Sequence, residues 1–213
     1  MIDRNVIVYD SGAGGMFLGY NLSGSSDYIV TESNEYLPDN NKTDNVFSLN
    51  DKQINHFNGL TTTHPYEVDA LIKIAKQLEL SLNFIAITFG TQPNDLKCKF
   101  FVALIFEIKK RVHTGNNEIL DNLYTDSLYA SVVRRDREPI FLSTNGMRWD
   151  HKVDYKKLFA DRDIDEITRL VKLTNQNVSP EIMQKKIEDY THQNCKIITK
   201  YAPHMENYFE QGH

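Results

Sequence analysis

The sequence predicts an α/β fold, a parallel sheet with helices on both faces and a helical C-terminal third. Three observations predict it. Short β-branched runs alternate with stretches of helical periodicity, the pattern of parallel strands joined by crossover helices. A glycine-rich turn, Asp10-Ser11-Gly12-Ala13-Gly14-Gly15-Met16, stands where the first such run hands over to a helix. Proline sits in the first turn of two later helices, at His64-Pro65 and Ser179-Pro180, where its missing N–H costs nothing.

Val6-Ile7-Val8-Tyr9 reads as a buried strand ending at Asp10, and Met16 to Leu22 as a short helix. Tyr28-Ile29-Val30 is a further apolar run, and the Asn-rich stretch from Asn34 to Asn58 reads as loop. The helix opened by His64-Pro65 turns Val68, Leu71, Ile72, Ala75 and Leu78 to one face. Phe84 to Phe89 is a second buried strand. Asn94 or Asp95 caps the next helix, which carries Leu96, Phe100, Phe101, Leu104 and Ile108 inward and its lysines outward. Ile140-Phe141-Leu142-Ser143 is a third candidate strand. Ile164, Ile167, Leu170 and Val171 keep helical spacing, as do Ile182, Met183, Ile187 and Tyr190 after the Ser179 cap.

A chain of 213 residues suits one domain, taken here as 1–213. The formal net charge of −5 argues against bulk nucleic-acid binding. No apolar run approaches the roughly 18 residues of a membrane span, and no leader pattern precedes the first strand. Two cysteines, Cys98 and Cys195, make neither a disulfide framework nor a metal motif, so free thiols and a cytoplasmic location are expected. The richness in Asn, Lys and Ile hints at an AT-rich genome, viral if so, and then at the host cytoplasm.

The first turn of a helix presents unpaired N–H groups and a partial positive charge, and glycines let an anion approach the backbone. The segment Ser11, Gly12, Ala13, Gly14, Gly15 and Met16 is therefore a candidate phosphate or sulfate cradle, or else a tight turn that needs small residues. No Lys-Ser/Thr follows the glycines, which disfavours ATP or GTP hydrolysis.

The strand followed by Ser11-Gly12-Ala13-Gly14-Gly15-Met16-Phe17-Leu18 resembles the first phosphosulfate loop of divergent, short sulfotransferases of microbial and viral type. Thr63-His64-Pro65 and the strand from Phe84 resemble that family's Thr-His-x-Pro segment and second strand. Asn94-Asp95-Leu96 resembles its turn into the next helix, and Val153-Asp154-Tyr155-Lys156-Lys157-Leu158 its Val-x-Tyr-Glu-Asp-Leu segment. The resemblance implies a P-loop nucleoside-triphosphatase-like fold of sulfotransferase type. It implies transfer of a sulfuryl group from 3′-phosphoadenosine 5′-phosphosulfate, without a metal, to a hydroxyl or amine of a small-molecule or glycan acceptor.

Carried over by position, the resemblance makes His64 the acceptor-activating base and the residues from Ser11 to Met16 the donor loop. The family's loop lysine is replaced by Met16 and its arginine after the second strand by Phe89-Gly90-Thr91-Gln92. Lys97, Lys99 and Arg135, within the run Arg134 to Arg137, are the cations left to bind the donor, although such a run is also an ordinary solvated loop. Trp149, beside Arg148 and His151, is either an acceptor wall or partly buried structure. Glu32 and Glu35 are bases or a solvated turn. The missing basic residues keep an alternative open, a catalytically inactive descendant serving as a binding or structural module, for example in a viral assembly.

Overall fold

The computed structural model describes residues 2–10, 12–24, 48–49, 52–53, 55–57, 60–90, 93–113, 115 and 148–203. Four parallel strands form its centre: β1 (Ile2–Val8), β5 (Leu60–Thr63), β6 (Leu80–Thr88) and β7 (His151–Asp154). The sheet order is β4-β5-β1-β6-β7, with the short β4 (Asn55–Phe57) antiparallel on the β5 edge. β1 is central, as the apolar run at Val6 to Tyr9 requires: Val6 stands between Thr61 of β5 and Phe84 of β6.

A strand buried on both faces must be apolar at every position, and Val6, Ile7 and Val8 are all fully buried. The odd and even residues serve different cores. Ile7, Ile85, Ile87 and Val153 pack under α1 (Gly15–Ser23), α4 (Ile164–Thr174) and α5 (Pro180–Tyr201), through Phe17, Leu18, Ile167, Leu170, Met183 and Ile187. Val6, Val8 and Ala86 meet Val68 and Leu71 of α2 (Val68–Gln77) on the other face. Each such side chain contributes about 1.5–3 kcal/mol by leaving water. Helices thus cover both faces of the sheet.

The long helix α3 (Pro93–His113) buries Phe100, Leu104, Ile105 and Ile108 against Ile197, Ile198 and Tyr201 of α5. Its lysines do not all face outward as periodicity suggested: Lys99 and Lys109 are both buried. Leu78 is not part of the α2 face either. The helix ends at Gln77 and Leu78 turns to solvent. Ile182 is exposed, one position out of phase with the buried Met183.

Two strands escaped the sequence reading. Leu-Thr-Thr-Thr, β5, lacks an apolar signature, and His-Lys-Val-Asp, β7, has one fully buried residue. The stretch read as plain loop up to Asn58 contains β2 (Ser48–Leu49), β3 (Lys52–Gln53) and β4. The strand expected at Ile140 to Ser143, and Tyr28 to Val30, lie outside the described residues. Among the described residues no helix is long and apolar enough to cross a membrane.

α4 begins at Asp163, whose carboxylate accepts the amides of Asp165 (2.9 Å) and Glu166 (3.3 Å). Glu166 then ties α4 to the edge strand: it accepts the Asp154 amide at 2.8 Å and Arg169 Nε at 2.8 Å, while Arg169 also donates to the Lys152 carbonyl at 2.6 Å. Burial pushes the Glu166 carboxyl up, but the Arg169 guanidinium and the Asp154 amide outweigh it and hold it below its usual value of 4.5. Because the folded pKa is depressed, this stabilisation is complete above pH 4.5 and is lost as pH falls through the lower folded value. Glu166→Ala orphans the Asp154 amide and is expected to cost about 1–3 kcal/mol at pH 7 in urea unfolding. The gap between variant and wild type is expected to close on acidification. A gap unchanged at low pH would show that the charge plays no part.

Candidate functional site at the end of the sheet

The glycine turn is shaped by what surrounds it. Tyr9 continues the strand by one bond, its amide donating to the Thr63 carbonyl at 3.2 Å, and the Ala13 amide donates to the Asp10 carbonyl at 2.9 Å to close the turn. Gly12 (φ 86°) and Gly14 (φ 77°) lie in the left-handed region where side chains are strained. Gly14 then starts α1 as its N-cap, its carbonyl accepting the Leu18 amide at 2.9 Å, and as a glycine it brings no side chain to cap the helix.

All three glycines also face filled space. A Cβ at Gly12 would lie 2.8 Å from the Val102 carbonyl oxygen, at Gly14 2.9 Å from Phe159 Cζ, and at Gly15 1.9 Å from Tyr9 Cδ1. The missing side chains therefore make room for protein. An anion at this turn meets the amide end of α1 rather than the open sides of the glycines. Ala13 and Asp10 are buried, Met16 receives the Thr62 hydroxyl on its sulfur at 3.7 Å, and Ser11 lies outside the described residues.

His64 follows β5 and precedes the 3₁₀ turn Pro65–Glu67. Its Nδ1 is 3.0 Å from the Tyr9 carbonyl oxygen. A carbonyl only accepts, so the proton is on Nδ1 and Nε2 carries the lone pair. The ring tilts against Tyr9 (centroids 4.5 Å apart, 52°) and stacks on Tyr66 (5.3 Å, 10°), whose own ring is 70% exposed. Glu67 braces the corner, its Oε2 accepting the His64 amide at 3.2 Å and the Thr63 hydroxyl at 3.1 Å. Burial lowers the His64 pKa below 6.5, with the Tyr9 carbonyl and the Glu67 charge opposing it. The imidazole is neutral at pH 7.

The sheet brings these pieces together. β1 and β5 are adjacent and parallel, yet α1 leaves β1 toward one face and α2 follows β5 onto the other. Strand ends whose connections diverge leave a crevice at their carboxyl edge, the place where open α/β sheets bind ligands. The glycine turn and His64 stand at these strand ends, and Tyr9 touches both.

The other candidates are placed differently. The start of α3 lies by the far edge strand: the Cys98 thiol is pushed up to about 12 by burial and by Asp95, with Lys156, Asp161 and Asp154 also in range. Two strands, β1 and β6, separate that end from β5 and His64. Lys97 and Lys99 are two residues apart on a helix and point to nearly opposite sides, so they do not act as a pair on the turn. Lys99 shares a side with Val102 and Phe106, which touch Gly12. Trp149 packs on Phe84 (6.1 Å, 57°) over the α2 face, as a buttress of the sheet. Arg134 to Arg137, with Arg135 among them, and Glu32 and Glu35 lie outside the described residues.

Sequence reading missed Tyr9, taken for the last strand residue, and also Tyr66 and Glu67. A glutamate three residues after the residue that starts the helical turn was the available signal for Glu67. The Tyr9 carbonyl has no sequence signal. The chain matches no family model, no curated protein and no solved structure.

Gly15→Ala drives a methyl into the Tyr9 ring and is expected to cost about 1–3 kcal/mol or more by chemical denaturation. Gly24→Ala, at φ 65° with open space around it, is expected to cost about 1 kcal/mol. Equal costs would show that the Tyr9 contact does not constrain residue 15.

Proposed function

We propose that the protein is a sulfotransferase-like enzyme that moves a sulfuryl group from 3′-phosphoadenosine 5′-phosphosulfate to a hydroxyl or amine of a small-molecule or glycan acceptor. One observation carries the reading: a neutral imidazole, its Nδ1 proton committed to the Tyr9 carbonyl, stands at the carboxyl edge of the sheet near a glycine turn that starts a helix. In that tautomer Nε2 accepts a proton from an incoming hydroxyl or amine, the work of a general base. Tyr9 keeps the ring from turning, Glu67 fixes the corner, and the exposed ring of Tyr66 offers the acceptor a flat wall beside the base.

The donor, when bound, supplies an activated sulfur–oxygen bond. The chain's share is positioning and charge, through the amides and dipole at the start of α1. Two features limit that fit. Met16 stands where the resemblance calls for lysine, and the glycine sides are filled by Tyr9, Val102 and Phe159. Those contacts account for the glycines without a ligand, and they favour a second reading, the same fold kept as a non-catalytic binding or structural module.

Calorimetry with adenosine 3′,5′-bisphosphate separates the two, with binding expected for the enzyme. His64→Ala is expected to lower turnover about 10²–10⁴-fold and to leave bisphosphate affinity nearly unchanged. Because the base works only when neutral, activity is expected to fall as pH drops through the His64 pKa, which ring-proton NMR should place below 6.5. Absence of bisphosphate binding at millimolar concentration would leave the module as the reading.

A further inference from the structure

On the side away from β5, β7 pairs with β6 alone among the described strands. A strand at the end of a sheet presents a row of backbone N–H and C=O groups that another chain can pair with, and proteins cover such edges with charged side chains or a helix. The backbone groups of successive strand residues face opposite sides. Val153 turns its carbonyl toward β6, where it accepts the Thr88 hydroxyl at 3.3 Å, so Lys152 and Asp154 turn their backbone groups outward.

Two of those outward groups are already taken by α4. Arg169 Nη2 donates to the Lys152 carbonyl at 2.6 Å, and the Asp154 amide donates to Glu166 Oε1 at 2.8 Å. The two side chains also bind each other, Arg169 Nε donating to Glu166 Oε2 at 2.8 Å, so each holds the other over the strand. A second carboxylate extends the cover. Phe84 of β6 stands one position before the partner of His151, where β7 has not yet begun, and its amide donates to Asp150 Oδ2 at 2.8 Å. The packing of α4 on the core is made by Ile167, Leu170 and Val171, not by this pair. A strand added beside β7 would have to displace Glu166 and Arg169.

We propose that Glu166 and Arg169 are an edge guard: they occupy the outward hydrogen-bonding groups of β7 and keep the sheet from pairing with an extended segment of a second copy of this chain. Neither His64 nor the glycine turn takes part, so the guard is independent of sulfuryl transfer.

The test is sedimentation velocity of the full chain over a concentration series at pH 7, with circular dichroism to show that each variant is folded. Glu166→Ala/Arg169→Ala is expected to associate as concentration rises, beyond wild type at the same concentrations. Adding Lys152→Pro, which takes an outward N–H from the edge, is expected to return it to wild-type size. Ile167→Val loosens the same helix but leaves the guard, and is expected to keep wild-type size. Should the double variant fail to fold, Arg169→Ala uncovers Lys152 alone and is expected to associate more weakly but measurably. A folded double variant, or failing that the single one, that keeps wild-type size at every concentration would overturn the guard. So would association that survives Lys152→Pro or is matched by Ile167→Val, because lost stability would then be its cause.

Discussion

The ring of Tyr9 fills the space that any side chain at residue 15 would need, and much of the candidate site depends on that contact. It forces glycine at the first position of α1 and sets how closely the helix approaches the end of β1. The backbone of the same residue works in two directions. Its amide extends the pairing with β5 through Thr63, and its carbonyl holds the Nδ1 proton of His64. One residue thus couples the sheet, the glycine turn and the tautomer of the imidazole. A change that displaces Tyr9 acts on fold and site together.

The second constraint is topological. His64 and the start of α1 stand at the same end of the sheet because β1 and β5 are neighbours, and their following helices go to opposite faces. Had α2 followed α1 onto the same face, the connections would close over the strand ends and leave no crevice. The same geometry separates the start of α3 from His64 by two strands, so that Lys97 and the acidic surroundings of Cys98 belong to a different corner of the molecule.

The filled faces of the glycines and the buried lysines of α3 change how the turn is understood. A glycine-rich turn between strand and helix suggests a ligand, yet Val102, Phe159 and Tyr9 already explain each missing side chain. Lys99 and Lys109 are buried on a helix whose periodicity would place them in water.

The α/β class, β1 and β6, most of the helices and the cap at Ser179 were legible in the sequence, because they rest on local rules: β-branched runs, helical periodicity, proline in first turns. His64 and the glycine turn were legible as candidates for the same reason. The tertiary structure alone decided the rest. β5 became a strand through its parallel partner, since Leu-Thr-Thr-Thr has no apolar pattern of its own. The proton on His64 was placed by the carbonyl of Tyr9, 55 residues earlier. Lys99 and Lys109 were buried by the tertiary packing, on a helix whose alternation of lysines with apolar residues looked amphipathic. Periodicity reports which faces of an element differ, but not what lies against them. Contacts between residues far apart in the chain are set by the sum of all the packing and have no local trace.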